Sequence, residues 1–385
     1  MAPIIEPPLP PANDHAVPGA NTVVGLAARG TLPAGLSGQL FGIGPDNGSQ
    51  VGVVHSVELH AGRSISYRSR WVITDAVARR LRMDSTPGPR NTGPDIVASN
   101  VVAFGGAILA LGDGSLAYEL SRDLDTLRRV DLAGQSRGLA AFPKRDPATG
   151  DLHVLAAAAT GAQEHVVVSS GALTRRSRPV AGVPGRIKDL AVTRDRVLFV
   201  ADGFLGVAAN DGAAPTTWIA TGIDAPLLVH AHDVGETVVV LAVTPSLERW
   251  TLHAASATVH RDVLDPTPRR FARTADHRAD VAPRFLWTTR DATADKHDLT
   301  TTRSVSHNFR PDRRPGDLVF VADAARVSEA DGGWLVGFVH HASRNETDLV
   351  VLDAADIARP AIAAVRIPRR IPRGLHSTWI ASTHQ

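Results

Sequence analysis

Histidine is the side chain of this sequence best suited to hold a metal or move a proton near neutral pH. Two of its sixteen copies stand one residue apart, His230 and His232 in LLVHAHDVGE (227–236). On a strand these alternate onto one face, where such a pair can bind a metal ion, though alone it is a weak signal. His340 and His341, in WLVGFVHH (334–341), are adjacent. Adjacent strand residues point to opposite faces, so the two cannot serve one site, and surface positions are expected for them. Cysteine is absent, which removes disulfides, thiolate metal sites and a Cys nucleophile. There is no GxSxG elbow and no HExxH zinc motif. GIGPDNG (42–48) is one residue off GxGxxG and precedes no helix. Trp287, Trp334 and Trp379 are expected in the core.

Strands must position these side chains. Short β-rich runs dominate the chain: VVAFGGAILAL (101–111), EHVVVSS (164–170), RVLFVAD (196–202), ETVVVLAV (236–243), WLVGFVHH and DLVVLDA (348–354). Gly105-Gly106, Asp113-Gly114, Thr149-Gly150 and Asp331-Gly332 separate strand pairs. AFPKRDPATGDLHVL (141–155) reads as a hairpin, with one strand ending near Phe142 and the next starting at Leu152. This pattern predicts an all-β protein without long amphipathic helices. Four-stranded sheets repeated around an axis solve the edge problem, and ~50 residues per sheet gives about seven blades. The expectation is a single β-propeller domain over residues 21–385, after an extended Pro-rich arm over residues 1–20. The competing arrangement, two β-sandwich domains, needs a linker that 21–385 does not offer.

Composition narrows the function classes. The chain has 385 residues, 41 basic against 39 acidic, so its net charge of +2 gives no reason to expect nucleic-acid binding. No basic run interleaved with aromatics appears. No segment approaches 18 uninterrupted apolar residues, so no transmembrane segment is expected. The N-terminus lacks the charged start and apolar stretch of a signal peptide, and a cytoplasmic location is expected. The wealth of Ala, Arg, Gly and Pro suggests a GC-rich bacterial genome. Oligomeric state leaves no trace in the sequence.

Several stretches resemble the carotenoid cleavage oxygenases. ARGTLPAGLSGQLFGIGPDNG (28–48) is similar to the family's RGxLPxxLxGxYxRNGPNP, matching at Arg29, Gly30, Leu32, Pro33, Leu36, Gly38, Gly44 and Pro45. Gly42 and Ile43 replace its Arg-Asn. NVVAFGGAILALGDGSLAYELSRDLDTL (100–127) resembles NVxxHxGxLLALxExGxPYELDPxLxTL. AFPKRDPATGDLH (141–153) is similar to AHPKxDPxTGELH, and IKDLAVT (187–193) to MHDFAIT. GDLVFVADAARVSEADGGWLVGF (316–338) and GLHSTWI (374–380) have counterparts too. The resemblance runs in order over nearly the whole chain. It implies a seven-bladed β-propeller with an axial iron site under a dome of loops. The chain is shorter than usual for the family, so a reduced loop dome is expected.

In that family four histidines bind Fe(II) and three glutamates support them from behind. Carried over position by position, the first histidine is Phe142 and the second Lys188. The third is Leu227 in an ungapped alignment, or His230 with a three-residue deletion. The fourth is kept as His376. The glutamates become Glu119 in AYEL, Arg270 in RRFART and Asp317 in GDLVFV. A phenylalanine cannot ligate, and a lysine ligates only when deprotonated, so no functional iron and no other cofactor are expected. Lys188, His376, His230, Glu119 and Asp317 are the candidate catalytic groups. Phe142, Leu227 and Arg270 are the candidate substrate contacts. Lys188 is expected at the vacated metal position, paired with Glu119, Asp317 or both, with Phe142 filling the lost imidazole's volume. The partner implied is a hydrophobic, polyene-like small molecule. The activity implied is non-oxidative isomerisation or cyclisation in bacterial specialised metabolism. Two alternatives stay open: a non-catalytic binder of apolar ligands, and an Fe(II)-dependent dioxygenase with altered ligands.

Overall fold

The computed structural model describes residues 20–382, apart from 47–48, 61–62, 92, 135–136, 158–161, 170–173, 213–214, 225, 276–280, 345, 368 and 373–374. The expected N-terminal arm lies outside the described residues, except that Ala20 opens the first strand.

The apolar runs form strands where expected. VVAFGGAILAL makes the hairpin Asn100–Phe104 and Ala107–Leu111. It turns at Gly105 and Gly106, whose φ angles of 57° and 80° suit a residue without a Cβ. The hairpin at 141–155 differs in detail: its first strand is only Lys144–Arg145, so Phe142 precedes the strand instead of ending it. Pro143 has no N–H to give to a ladder, which delays the pairing.

Seven sheets result, each built from neighbouring strands in meander order. The chain is a seven-bladed β-propeller. Blade 1 holds Gly38–Pro45, Gly52–His60 and Arg63–Trp71. Blades 2 to 6 span residues 100–130, 144–179, 189–220, 227–265 and 271–308, and blade 7 is built mainly from 313–367. Asp75–Leu81 is the one α-helix among the described residues, and no helix is long and apolar enough to cross a membrane. Burial falls with distance from the axis. All nine residues of Gly333–His341 are buried, whereas Arg303–Asn308, at the outer edge of blade 6, is mostly exposed. Inner strands are covered on both faces by neighbouring blades, so they read as continuous apolar runs without alternation. The same packing corrects the expectation for His340 and His341. Both are buried, because each face of their strand meets another blade.

The two chain ends lock the ring. Ser377–Ala381 pairs with Gly38–Pro45 and completes blade 1. Ala28–Gly30 pairs with Ala363–Ile367 at the outer edge of blade 7. Gly38 sits in the first seam, where a Cβ would lie 2.5 Å from the Ile380 carbonyl oxygen. That approach requires glycine.

Several imidazoles are walled into the blades. His165 Nε2 lies 3.0 Å from His153 Nδ1, and His55 Nδ1 lies 2.9 Å from the Tyr67 hydroxyl. Burial pulls His55, His153 and His297 down to about 4, and burial with the charge of neighbouring His153 pulls His165 to about 3. Values below the unfolded 6.5 mean that the unfolded chain takes the protons first as pH falls. The stability these groups contribute is full above 6.5 and is lost between there and about 4, at roughly 1 kcal/mol per pH unit for each imidazole. A melting curve taken across this range should show Tm dropping steadily with acidification. His153→Gln should flatten the drop.

Candidate functional site

Each blade presents to the axis a residue at or just before the start of its innermost strand. In blade order from 1 to 7 these are His376, Asn100, Phe142, Lys188, Leu227, Phe271 and Asp317. All seven line one cavity of about 720 Å³ that continues down the inner strands past Ala103, Val192, Ala231 and Trp379. The side chains of His376 and Lys188 remain 35% and 38% exposed, so the cavity is open to water at this level.

Asp317 is the polar hub. It is 1% exposed, and Arg273 grips it in a two-pronged pair, with Nε 2.9 Å from Oδ1 and Nη2 on Oδ2. The Ser377 N–H donates to Oδ2 at 3.0 Å, and Arg273 Nη2 also donates to the Ser377 carbonyl at 2.9 Å. His376 Nδ1 stands 3.7 Å from Oδ2, an ion-pair distance longer than a hydrogen bond. Burial alone would raise the Asp317 carboxyl. The Arg273 charge and the hydrogen bonds outweigh it and hold the group well below the usual carboxylate range. Asp317 is therefore a fixed negative charge on the Nδ1 side of the imidazole.

Two phenylalanines box the imidazole. The Phe142 ring centroid lies 4.8 Å from that of His376, and Phe271 lies 5.7 Å away, both edge to face. Phe142 is held from behind by its neighbour. The Ala141 N–H is accepted by Asp113 at 2.9 Å, and the Ala141 carbonyl accepts from Asn100 at 3.0 Å.

The other side of the cavity is cationic. Lys188 pairs with Asp202, and Lys144 stands 3.4 Å from Asp189. Arg145 donates to the carbonyls of Ala103 and Gly150.

Several expectations need correction. Lys188 does not pair with Glu119 or Asp317, because Asp202, on the next hairpin of its own blade, is the nearer carboxylate. Glu119 lies outside the cavity, on the third strand of blade 2, where Arg128 donates to it at 2.6 Å. Arg270 is exposed with its guanidinium over the Phe271 ring, and also lies outside the cavity. Register decides the last two. Arg273, three residues on, faces the axis because an odd offset along a strand reverses the side chain. Trp379 is partly buried and lines the cavity, instead of sitting fully in the core like Trp287 and Trp334. Leu227 and His230 both line the cavity. Leu227 opens its strand at the level of the ring, and His230 follows three residues further along. His232 packs its ring 5.3 Å from that of His230 but does not line the cavity.

Arg273, Asp113, Asp202 and Asn100 were missed. Two had a sequence signal. Asp113 stands at the glutamate of LxExG, six residues before the one in PYEL, and Arg273 is the arginine of the EFPR stretch.

The four positions assigned to iron ligands by resemblance hold Phe142, Lys188, either Leu227 or His230, and His376. At most two imidazoles, beside hydrocarbon and an ammonium bound to a carboxylate, do not make an iron donor set. Among the described residues no three His, Cys, Asp or Glu side chains converge as a metal site requires. The residues at hand do not fit iron.

The model of one protein family, described as retinal pigment epithelial membrane protein, matches residues 17–218 and 224–381. A carotenoid cleavage oxygenase of Mycobacterium tuberculosis is 27% identical over 482 aligned positions, which cover 94% of this chain and 95% of the relative. Since the chain has 385 residues, at least 97 of those 482 positions have no counterpart here. An isoeugenol monooxygenase of Pseudomonas nitroreducens is 23% identical, covering 82% of this chain and 84% of its own. Among solved structures, cobalt-substituted Synechocystis apocarotenoid oxygenase superposes with a TM-score of 0.83 at 18% identity, covering 95% of this chain and 97% of its own.

Removing one partner of a buried ion pair strands the other. Arg273→Ala is expected to cost about 3 kcal/mol in urea unfolding, at the lower end for a buried pair because Arg273 keeps some contact with water. Asp317→Asn added to that variant should restore part of the loss.

Proposed function

The chain belongs to the retinal pigment epithelial membrane protein family, and from that premise we propose that it acts on a hydrophobic, polyene-like small molecule in the axial cavity without iron. The carrying observation is the donor set itself: of the four positions the family resemblance assigns to histidine, at most two keep one, His376 and His230. The chemistry left is acid–base and electrostatic.

A double-bond isomerisation fits these groups. Nε2 of His376 takes a proton from an allylic carbon of the ligand that is conjugated to a carbonyl. Electron density moves into the carbonyl, where the Lys188 ammonium donates a hydrogen bond to the developing oxyanion. Nε2 then returns the proton to a different carbon. Proton and electrons balance, and no oxidant is consumed. Asp317 stabilises the imidazolium formed midway, and Arg273 keeps Asp317 ionised. Phe142 and Phe271 hold the ring at a fixed angle and present an apolar wall to the polyene. A cyclisation driven by the same proton transfers uses the same groups.

The second reading is a binder without turnover. The 35% exposure of His376 favours it, since an open cavity excludes water poorly. The third, an oxygenase with an altered ligand set, draws on the names of the relatives.

Anaerobic incubation with a carbonyl-bearing apocarotenoid, in the presence of chelator, should yield a product of unchanged mass. His376→Ala should lower turnover by about 100-fold or more, the range for loss of a general acid–base group, while ligand affinity persists. Lys188→Ala should lower it by roughly tenfold. Ligand binding with no product from any variant would support the binder. Oxygen-dependent cleavage abolished by chelator would support the oxygenase.

A further inference from the structure

The cavity is apolar along blade 5 and charged along blades 3 and 4. Leu227, Leu228 and Val229 form the apolar side. Lys144 and Arg145 come from blade 3, and Lys188 precedes the first strand of blade 4. On the far side Arg273 is fully engaged by Asp317.

The charges do not cancel. Four cations line the cavity, Lys144, Arg145, Lys188 and Arg273, against two carboxylates, Asp189 and Asp317. Asp202 behind Lys188 supplies a third. One positive charge is left over, and it belongs to Arg145. Among the described residues that guanidinium has only carbonyl partners and the Phe104 ring, with no carboxylate within ion-pair distance.

The Lys188 pair is also replaceable. Its two side chains are 38% and 48% exposed, and an ion pair that open to water adds little stability. An anion arriving from the cavity can take the ammonium while Asp202 turns to water at little cost. Across the ring the same anion would meet the fixed charge of Asp317, so the head group belongs at the blade 3 and 4 wall.

We propose that the ligand of this cavity is an amphiphilic anion, a carboxylate whose head docks on Lys188 and Arg145 and whose polyene or alkyl body lies along Leu227 and Leu228 towards His376. This rests on the axial cavity being the ligand site. It goes further by setting the ligand's charge, and it accords with the binder reading, since a carboxylate held on Lys188 is no electron sink for the proton transfers described above. The double bonds nearest the carboxylate then lie at the cationic wall, and those further along the chain lie beside the imidazole. The reaction that supplies such a ligand is the oxidation of an aldehyde to an acid.

The test is Trp fluorescence quenching, with Trp379 on the cavity wall, by all-trans retinoic acid, retinal and retinol as probes of equal body and different head. The acid should bind roughly tenfold or more tightly than the alcohol, as expected for one charge-assisted hydrogen bond. Salt should erode the preference. Arg145→Gln should reduce it while leaving retinol binding unchanged, Lys188→Met should weaken acid binding more than retinol binding, and the exposed Arg145 variant keeps the test alive if Lys188→Met misfolds. Equal affinity for acid and alcohol overturns the proposal and leaves the cavity reading standing. Failure of all three probes to bind overturns both.

Discussion

The buried pair of Arg273 and Asp317 is the interaction on which both the ring and its site depend. Arg273 comes from the innermost strand of blade 6, Asp317 from the link between Arg313–Pro315 and Val319–Ala322 in blade 7, and Ser377 from the innermost strand of blade 1. Three blades thus meet on one carboxylate, at the point where the two ends of the chain close the propeller. A charge so deeply buried persists only when its partners are close and its lone pairs are used. Here a guanidinium fork and a backbone N–H do both. The same carboxylate faces His376, so the device that closes the ring also puts a negative charge beside the imidazole.

The charge logic of the axis follows from that pair. In the relatives implied by resemblance, histidines and a metal ion balance the carboxylates behind them. In this chain Arg273 balances Asp317 directly. Lys188 stands at a former histidine position yet turns to Asp202 at the rim. Positive charge lies along the wall of blades 3 and 4, where Lys144, Arg145 and Lys188 line the cavity, and Phe142 packs edge to face on His376.

Much of this was legible in the sequence. Apolar β-branched runs between Gly and Asp-Gly turns fixed the strands, and chain length over ~50 residues per blade gave the blade count. Phe142, Lys188, Leu227, His230, His376 and Asp317, singled out from the motifs, all line the cavity, most of them at or near the start of an inner strand. Their partners were not legible. Arg270 and Arg273 differ by three positions, and only the register of the strand says which faces inward. Glu119 looked like the kept carboxylate by letter match, but the third strand of a blade points away from the axis, and Asp113, in the turn before that strand, holds the Ala141 N–H instead. His340 and His341 were expected at the surface because blade-on-blade packing, which buries both faces of an inner strand, has no local signature.

The account stands on the claim that this cavity works without iron. Elemental analysis decides it, on protein produced with iron supplied and purified without chelator. Iron at trace level, far below one per chain, is the predicted result. Close to one iron per chain would contradict the account, and would mean that His376 and His230 hold the metal with ligands this arrangement does not bring together.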